Sequence, residues 1–194
     1  MNRLKWTCHD MKHIFDLDNT LVYTNQANND AYNSALRQAG LKPIRGVDRI
    51  TRETVRRVYR HLTGEQIQKI ITNKRTLYCV QKTYVNHRLL RYARKQGVEN
   101  CFVWTSADCG RAFSVMEHHG LHRYFSDIYF SEKRNIVQEL EDLTRHFCLE
   151  PQDVVIYEDT DTYIEELRQG GVEVVDVKLR RWRVEEIGAA IEQP

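Results

Sequence analysis

The chain has 194 residues and a mass of 23.0 kDa, and 29% of its residues are charged and 41% hydrophobic. A chain of this length buries roughly 70% of the surface that it exposes when unfolded, which predicts one domain with room for an inserted subdomain. The composition excludes an intrinsically disordered or collagen-like protein, and no apolar run approaches the roughly 18 residues of a membrane-spanning helix. The five cysteines form no Cys-x-x-Cys pair, which favours reduced thiols and a cytoplasmic location.

Basic residues are concentrated in one stretch of the chain. Between Arg45 and Lys95 there are 14 lysines and arginines against three acidic residues, a local net charge of +11. The rest of the chain has 15 basic and 24 acidic residues, a net charge of −9, although the whole chain carries only +2. Such a stretch raises the local concentration of an anionic partner, whereas a solvated helical surface is the simpler interpretation of the charge alone.

The first half of the chain is predicted to be mostly helical after one short strand. The apolar pair at 14–15 runs into the acidic, turn-forming residues 16–20, which indicates a buried strand with carboxylates at its C-terminal end. Apolar residues at helical spacing predict helices over residues 28–40, 48–71, 73–85 and 87–96. Within the helix predicted over residues 48–71, Thr63-Gly64 predicts a break.

From residue 98 onward, compact apolar strands alternate with helices. Strands are predicted over residues 101–104, 128–130, 153–157 and 172–177, and helices over residues 112–119, 135–147 and 164–169. This alternation is typical of βαβ crossovers and a parallel sheet. We therefore predict an α/β protein in which residues 1–21 and 98–194 form a Rossmann-like, three-layer core. Residues 22–97 would form a helical, strongly basic insertion.

Polar side chains follow the predicted strands at the edge where open parallel sheets bind ligands. In chain order these are Asp16 and Asp18, Thr105 and Ser106, Lys133, and Glu158 and Asp159. The set suits transfer of a phosphoryl group through an aspartyl intermediate. A carboxylate attacks phosphorus only when the negative charge of the ester oxygens is neutralised, which Mg²⁺ on oxygen ligands and a lysine would achieve.

The same residues resemble the four motifs of the haloacid dehalogenase superfamily. Residues 15–21 resemble its first motif, DxDx(T/V), and residues 103–106 resemble the second, an apolar strand ending in Thr or Ser. Lys133, 26 residues before Asp159, fits the lysine of the third motif. Residues 154–160 resemble the fourth motif in its Glu-Asp form, which is common in the phosphoglucomutase-like and phosphoglycolate-phosphatase-like branch. The position of the insertion matches the helical cap of that branch.

The resemblance implies a role for each residue in the reaction. Asp16 would be the nucleophile, and Asp18 the general acid that protonates the leaving oxygen and later the base that activates water. An aspartate at position 18 favours phosphoester chemistry within the superfamily. Thr105, Ser106 and Lys133 would bind the transferred phosphate.

The resemblance also implies a magnesium site. Its ligands would come from Asp16, Asp18, Glu158 and Asp159. Glu158 would either bind the ion directly or contact the residues that bind it. The chain departs from the family pattern at Tyr163, where relatives have Gly or Asp. A further acidic ligand would therefore come from Asp161 or be absent.

Four functional predictions follow from these patterns. The leading one is a Mg²⁺-dependent phosphatase that hydrolyses a phosphate monoester of a small anionic substrate, with the basic insertion acting as a cap. A sugar-phosphate mutase could use the same residues. A nucleic-acid binder or end-phosphatase is the next alternative, because tyrosines are interleaved with the basic residues, at positions Tyr59, Tyr78, Tyr84 and Tyr92. A non-catalytic scaffold for a protein partner has no need of both Asp16 and Asp18. No membrane partner is expected, and the oligomeric state stays open.

Overall fold

The structure, a computed structural model, describes residues 11–178, which form seven β-strands and seven α-helices. The strands are β1 (Lys12–Phe15), β2 (Val22–Tyr23), β3 (Tyr84–Val85), β4 (Cys101–Thr105), β5 (Asp127–Phe130), β6 (Val154–Glu158) and β7 (Glu173–Asp176). The helices are α1 (Asn25–Gln38), α2 (Arg52–Val58), α3 (Gly64–Thr76), α4 (His87–Gln96), α5 (Cys109–His118), α6 (Ile136–His146) and α7 (Asp161–Gln169).

Five of the strands form a parallel sheet in the order β5-β4-β1-β6-β7. The middle strand is β1, in which Phe15 lies opposite Val103 of β4 and Tyr157 of β6. Because all five strands run in the same direction, their carboxyl ends lie at one edge of the sheet. The sheet confirms the predicted α/β, Rossmann-like core.

Helices cover both faces of this sheet. On one face, Ile14 of β1 packs into a buried cluster with Leu140 of α6 and residues of α7. On the other face, Phe15 stacks on Tyr157 with ring centroids 4.4 Å apart, and Tyr92 of α4 lies 5.6 Å from the Tyr157 ring. Successive strand residues point to opposite faces, so Ile14 and Phe15 belong to different layers. The three layers agree with the sequence prediction.

The chain divides into two compact units. Of the described residues, 11–21 and 86–178 form the first unit, which holds the five-stranded sheet, and Val22–Val85 form the second, the inserted unit. The sequence prediction placed the boundary at residue 97, whereas the inserted unit ends at Val85. Helix α4 therefore belongs to the sheet unit. Asn86 joins this unit through two hydrogen bonds, from its backbone N–H to the Leu21 oxygen at 2.8 Å and from its amide to the Thr20 oxygen at 3.1 Å.

The inserted unit has its own core and carries a high positive charge. Residues of α1, α2 and α3 bury one apolar cluster, including Leu36, Val55 and Ile67, and β2 pairs with β3 in an antiparallel ladder. The unit has 12 lysines and arginines against four acidic residues, a net charge of +8. Thr63 caps α3 by accepting the N–H of Gln66, which explains the break that Thr63-Gly64 predicts.

One helix prediction is wrong. Residues 73–85 were expected to continue as helix, but α3 ends at Thr76, a short 3₁₀ turn follows at Val80–Lys82, and β3 begins at Tyr84. Local propensity cannot anticipate this ending, because Tyr84 and Val85 pair with β2, about 60 residues earlier in the chain. Within residues 11–178, no helix is both long enough and apolar enough to span a membrane.

Candidate active site

Asp16 directly follows the central strand at the carboxyl edge of the sheet. Its backbone N–H donates to the Tyr157 oxygen at 2.9 Å, which extends the pairing of β1 with β6 by one residue. Its side chain is therefore held at the strand end, and the residue is only 6% exposed. Asn19, with φ +64°, then turns the chain away from the sheet in a left-handed conformation that asparagine tolerates well.

Lys133 joins two of the predicted carboxylates. Its Nζ lies 2.7 Å from Oδ1 of Asp16 and 2.8 Å from Oε2 of Glu158, and the residue is 3% exposed. The ammonium also lies 4.9 Å from the ring centre of Trp104 and 5.7 Å from that of Tyr163. Burial disfavours the charged lysine, but the two carboxylates outweigh this effect and hold the pKa of Lys133 above its ordinary value.

Asp16, the candidate nucleophile, has an unusual pKa because of its surroundings. Burial, followed by repulsion from the Glu158 carboxylate, raises the pKa of Asp16 well above its ordinary value, while the Lys133 ammonium opposes this rise. Among the described residues, the carboxylates of Asp16, Glu158 and Asp159 lie close together, and the Lys133 ammonium contacts the first two. A group of carboxylates at a largely buried position suits a divalent cation.

Asp16, Glu158 and Asp159 could share a metal ion. Each offers a carboxylate oxygen, and the three oxygens lie within 4.8 Å of one another. Glu158, 1% exposed, already uses both of its oxygens: Oε2 accepts from Lys133, and Oε1 accepts the N–H groups of Asp159 and Thr160 at 3.0 Å each. Glu158 thus organises the turn between β6 and α7, with both of its oxygens bound by protein donors.

Asp18, also predicted as a metal ligand, contacts a different residue. Its two carboxylate oxygens accept hydrogen bonds from the two terminal guanidinium nitrogens, Nη1 and Nη2, of Arg111 in α5, at 2.7 and 2.5 Å. The two side chains are 15–16% exposed, so this bidentate ion pair is largely buried. Among the described residues, Asp18 is outside the group of three carboxylates.

Arg111 was missed by the sequence reasoning. It lies in the first turn of α5, three residues after Asp108, which caps the helix by accepting the Arg111 N–H at 3.4 Å. Its position shortly after the second-motif strand was a usable signal, because residues that follow a parallel strand meet at the same edge as Asp16. The sequence does not reveal its partner, since 93 residues separate Arg111 from Asp18.

The two predicted phosphate-binding residues at the end of β4, Thr105 and Ser106, differ in exposure. Thr105 is 1% exposed, and its Oγ1 accepts the N–H of Ala107 at 3.1 Å, while its backbone oxygen accepts the N–H of Ser131 at 3.2 Å. Ser106 is exposed. Thr105 therefore shapes the turn that leaves β4, and the phosphate-binding role of both residues stays a prediction.

Asp161 does not supply a further ligand to the described group. Its carboxylate is 75% exposed and lies 3.3 Å from the Nζ of Lys178. Tyr163, at the position where a Gly or Asp was expected, instead places its ring near Lys133. Burial raises the pKa of the Tyr163 hydroxyl, so it stays neutral beside the carboxylates.

A family model for haloacid dehalogenase-like hydrolases matches residues 13–177. The chain belongs to this family. The match spans β1 to β7 and includes every site residue described above, so it confirms the resemblance carried by the four motifs. No curated protein sequence matches the chain significantly.

Solved structures show that this hydrolase shares its fold with members of the family at low sequence identity. A haloacid dehalogenase-like hydrolase from Streptococcus pneumoniae has a TM-score of 0.72 at 15% identity, covering 96% of this chain and 100% of that chain. A predicted phosphoglycolate phosphatase from Haemophilus somnus has a TM-score of 0.73 at 18% identity, covering 88% and 86%. A hydrolase of the same superfamily from Geobacter sulfurreducens has a TM-score of 0.65 at 14% identity, covering 87% of each chain.

Proposed function

We propose that this hydrolase is a Mg²⁺-dependent phosphatase that acts on a phosphate monoester of a small anionic substrate. The observation that carries the proposal is the buried Lys133 ammonium, bound by Asp16 and Glu158 with Asp159 beside them. A lysine and a divalent cation beside one carboxylate neutralise the negative charge of an incoming phosphate. The carboxylate can then approach phosphorus without repulsion from the phosphate oxygens. The structural likeness to a predicted phosphoglycolate phosphatase also supports phosphatase chemistry.

In the proposed reaction, each of these residues has a separate role. Asp16 attacks phosphorus and forms an aspartyl-phosphate, and the P–O bond to the leaving group breaks as Asp18 delivers a proton to that oxygen. Asp18 next removes a proton from water, which attacks phosphorus, releases inorganic phosphate and restores the Asp16 carboxylate. When bound at Asp16 and Asp159, Mg²⁺ would neutralise charge on the phosphoryl oxygens. Lys133 holds Asp16 in place and adds a second positive charge.

The inserted unit is proposed to select the substrate through its charge. Four arginines of this unit are exposed and lie on or next to α2: Arg52, Arg56, Arg57 and Arg60. Guanidinium groups bind carboxylates and phosphates through paired hydrogen bonds, so a substrate with a second anionic group suits them. We infer that the substrate carries a second acidic group besides the transferred phosphate.

The tyrosines favour a small substrate over nucleic acid. Tyr84 is 56% exposed, whereas Tyr59, Tyr78 and Tyr92 are only partly exposed. Tyr59 donates its hydroxyl proton to the Lys42 oxygen, and the Tyr92 ring packs against His13 and Tyr157. Stacking of successive bases needs several open aromatic faces, and these four side chains do not offer them.

A phosphate-release assay tests the proposal. Purified protein with excess Mg²⁺ is screened against phosphorylated metabolites, including sugar phosphates, nucleotides and phosphorylated carboxylic acids. We expect release of inorganic phosphate from at least one of them, and a loss of at least about 10³-fold in the Asp16→Asn variant. Transfer of ³²P within a sugar phosphate, without release, would identify a mutase instead. Equal activity of wild type and Asp16→Asn would exclude the aspartyl mechanism.

A further inference from the structure

The loop that carries Lys133 has an unfavourable backbone conformation. Lys133 lies between β5 and α6 and has φ +50°, in the left-handed region that side-chain-bearing residues rarely adopt. A buried lysine in this conformation needs surrounding contacts that keep it there, since the extended or right-handed alternatives are intrinsically preferred. These contacts decide where the ammonium points.

One carboxylate supplies most of the contacts. Oε2 of Glu139, in the first turn of α6, accepts the N–H of Lys133 at 2.8 Å. Oε1 of the same side chain accepts the N–H groups of Arg134 at 2.8 Å and Asn135 at 3.3 Å. Burial alone would raise the pKa of Glu139, but hydrogen bonds from Ser131 and from these backbone groups lower it below its ordinary value. Glu139 thus remains ionised while it binds three successive backbone donors.

A second set of contacts ties the start of the loop to β4. The N–H of Ser131 donates to the Thr105 oxygen at 3.2 Å, and its Oγ accepts the indole N–H of Trp104 at 2.7 Å. Trp104 is 1% exposed and lies under the Lys133 ammonium. Ser131 therefore links the β4 strand end to Glu139, and the loop is held at both ends.

We propose that Glu139 is a positioning residue for Lys133. Its carboxylate holds the Lys133 backbone in the left-handed conformation, and this conformation directs Nζ at Asp16 and Glu158. The predicted effect on rate rests on the proposed phosphatase function, whereas the effect on geometry does not. Glu139 touches no reacting atom in this scheme and acts through the lysine alone.

Kinetics of three variants test the proposal. Glu139→Ala removes all three acceptor contacts, and a displacement of the ammonium by about 1 Å should lower kcat by about 100-fold. Glu139→Gln keeps one acceptor oxygen and should lose less. Glu132→Gln is the matched control: it removes one charge from the same loop, but Glu132 is 68% exposed and pairs with Arg134 at 2.5 Å. The control should stay within about twofold of wild type.

A double-mutant cycle separates positioning from a general loss of structure. In a Lys133→Ala background, Glu139→Ala should cost no more than about twofold further, because the group that Glu139 positions is already gone. An equal cost of Glu139→Ala in both backgrounds overturns the proposal. If Glu139→Ala does not fold by circular dichroism, Glu139→Gln is carried through the same cycle.

The crystal structure of the Glu139→Ala variant tests the positioning role without any measurement of activity. Crystals of Glu139→Ala should show Lys133 with negative φ and its Nζ more than 1 Å farther from Asp16 than in wild type. An unchanged φ and an unchanged contact with Asp16 contradict the proposal, even when activity falls. If wild type releases no phosphate from any substrate, the phosphatase function fails, and this crystal comparison still decides the role of Glu139.

Discussion

The Lys133 ammonium lies 2.7 Å from a carboxylate oxygen of Asp16, although 117 residues separate the two in the chain. Asp16 directly follows the central strand β1, and Lys133 follows β5 at the sheet margin, with β4 between these strands. The lysine reaches Asp16 across β4 by passing over the indole of Trp104. The contact therefore depends on the strand order as much as on either residue.

Removal of this lysine should destabilise the fold. Lys133→Met leaves two buried carboxylates without their shared ammonium, which should lower the free energy of unfolding at pH 8 by about 3–5 kcal/mol. The pKa of Asp16 is already raised, and loss of the lysine raises it further. The folded variant then binds a proton more readily than the unfolded chain, so its stability should increase as the pH falls from 8 towards 5.

Urea titrations at pH 8 and pH 5.5 measure this effect. The control is Lys82→Met, whose ammonium pairs with Asp30 while both side chains are 45–47% exposed. That change should leave the free energy of unfolding close to that of the wild type at either pH, because a solvent-exposed ion pair contributes little. A Lys133→Met protein as stable as the control at pH 8 would contradict the buried ion pair.

Mg²⁺ should stabilise the folded protein in the absence of substrate. The carboxylates of Asp16, Glu158 and Asp159 are arranged in the folded state only, so at 100 times the Kd the ion should add about 2.7 kcal/mol. Thermal unfolding with and without MgCl₂ measures the shift, and Asp159→Asn should remove most of it. Asp142→Asn, which alters an exposed pair with Arg145, should keep the full shift.

Arg111 should matter both for stability and for turnover. Arg111→Met removes two charge-assisted hydrogen bonds from Asp18, which should lower the free energy of unfolding by about 1.5–3 kcal/mol. Because Asp18 then loses its fixed orientation for proton transfer, kcat should fall more than KM rises. Arg111→Lys should recover only part of both losses, because an ammonium cannot form the bidentate pair. Full recovery by lysine would show that charge alone is sufficient.

The cysteines should differ strongly in reactivity. Cys101 is fully buried in β4, and burial raises the pKa of its thiol to about 12. The thiolate is the reactive form, so Cys101 should resist iodoacetamide in the native state and react only after unfolding. Cys109 and Cys148 are exposed, so they should react first. Peptide mass spectrometry after a timed exposure measures the order.

Protonation of His13 should contribute to loss of stability in acid. His13 is 5% exposed, its Nδ1 lies 3.1 Å from the Tyr157 hydroxyl, and burial lowers its pKa below the ordinary value. Below about pH 6.5 the unfolded chain binds a proton that folded His13 does not, so stability falls with pH in that range. His13→Asn should show a smaller loss between pH 7.5 and 5.5 in urea titrations. An unchanged loss would assign the acid sensitivity to other groups.

Much of the site was predictable from local sequence. Asp16 directly follows one short apolar strand and Glu158 ends another, and residues at such positions meet at one edge of a parallel sheet. Helix α4 was predicted with its bounds, because apolar periodicity and Gly97 mark it within the segment itself. The end of α3 was not predictable in this way, since β3 forms only by pairing with β2.

The sequence by itself determined the types of group at the strand ends, because strand patterns, turn residues and motif spacing are all local properties. Only the tertiary structure decided which groups meet: Asp18 with Arg111, and Glu139 with the backbone of Lys133. These pairs depend on sheet order, strand register and the conformation of one loop. Such features arise from the packing of distant segments, which no local pattern of residues encodes.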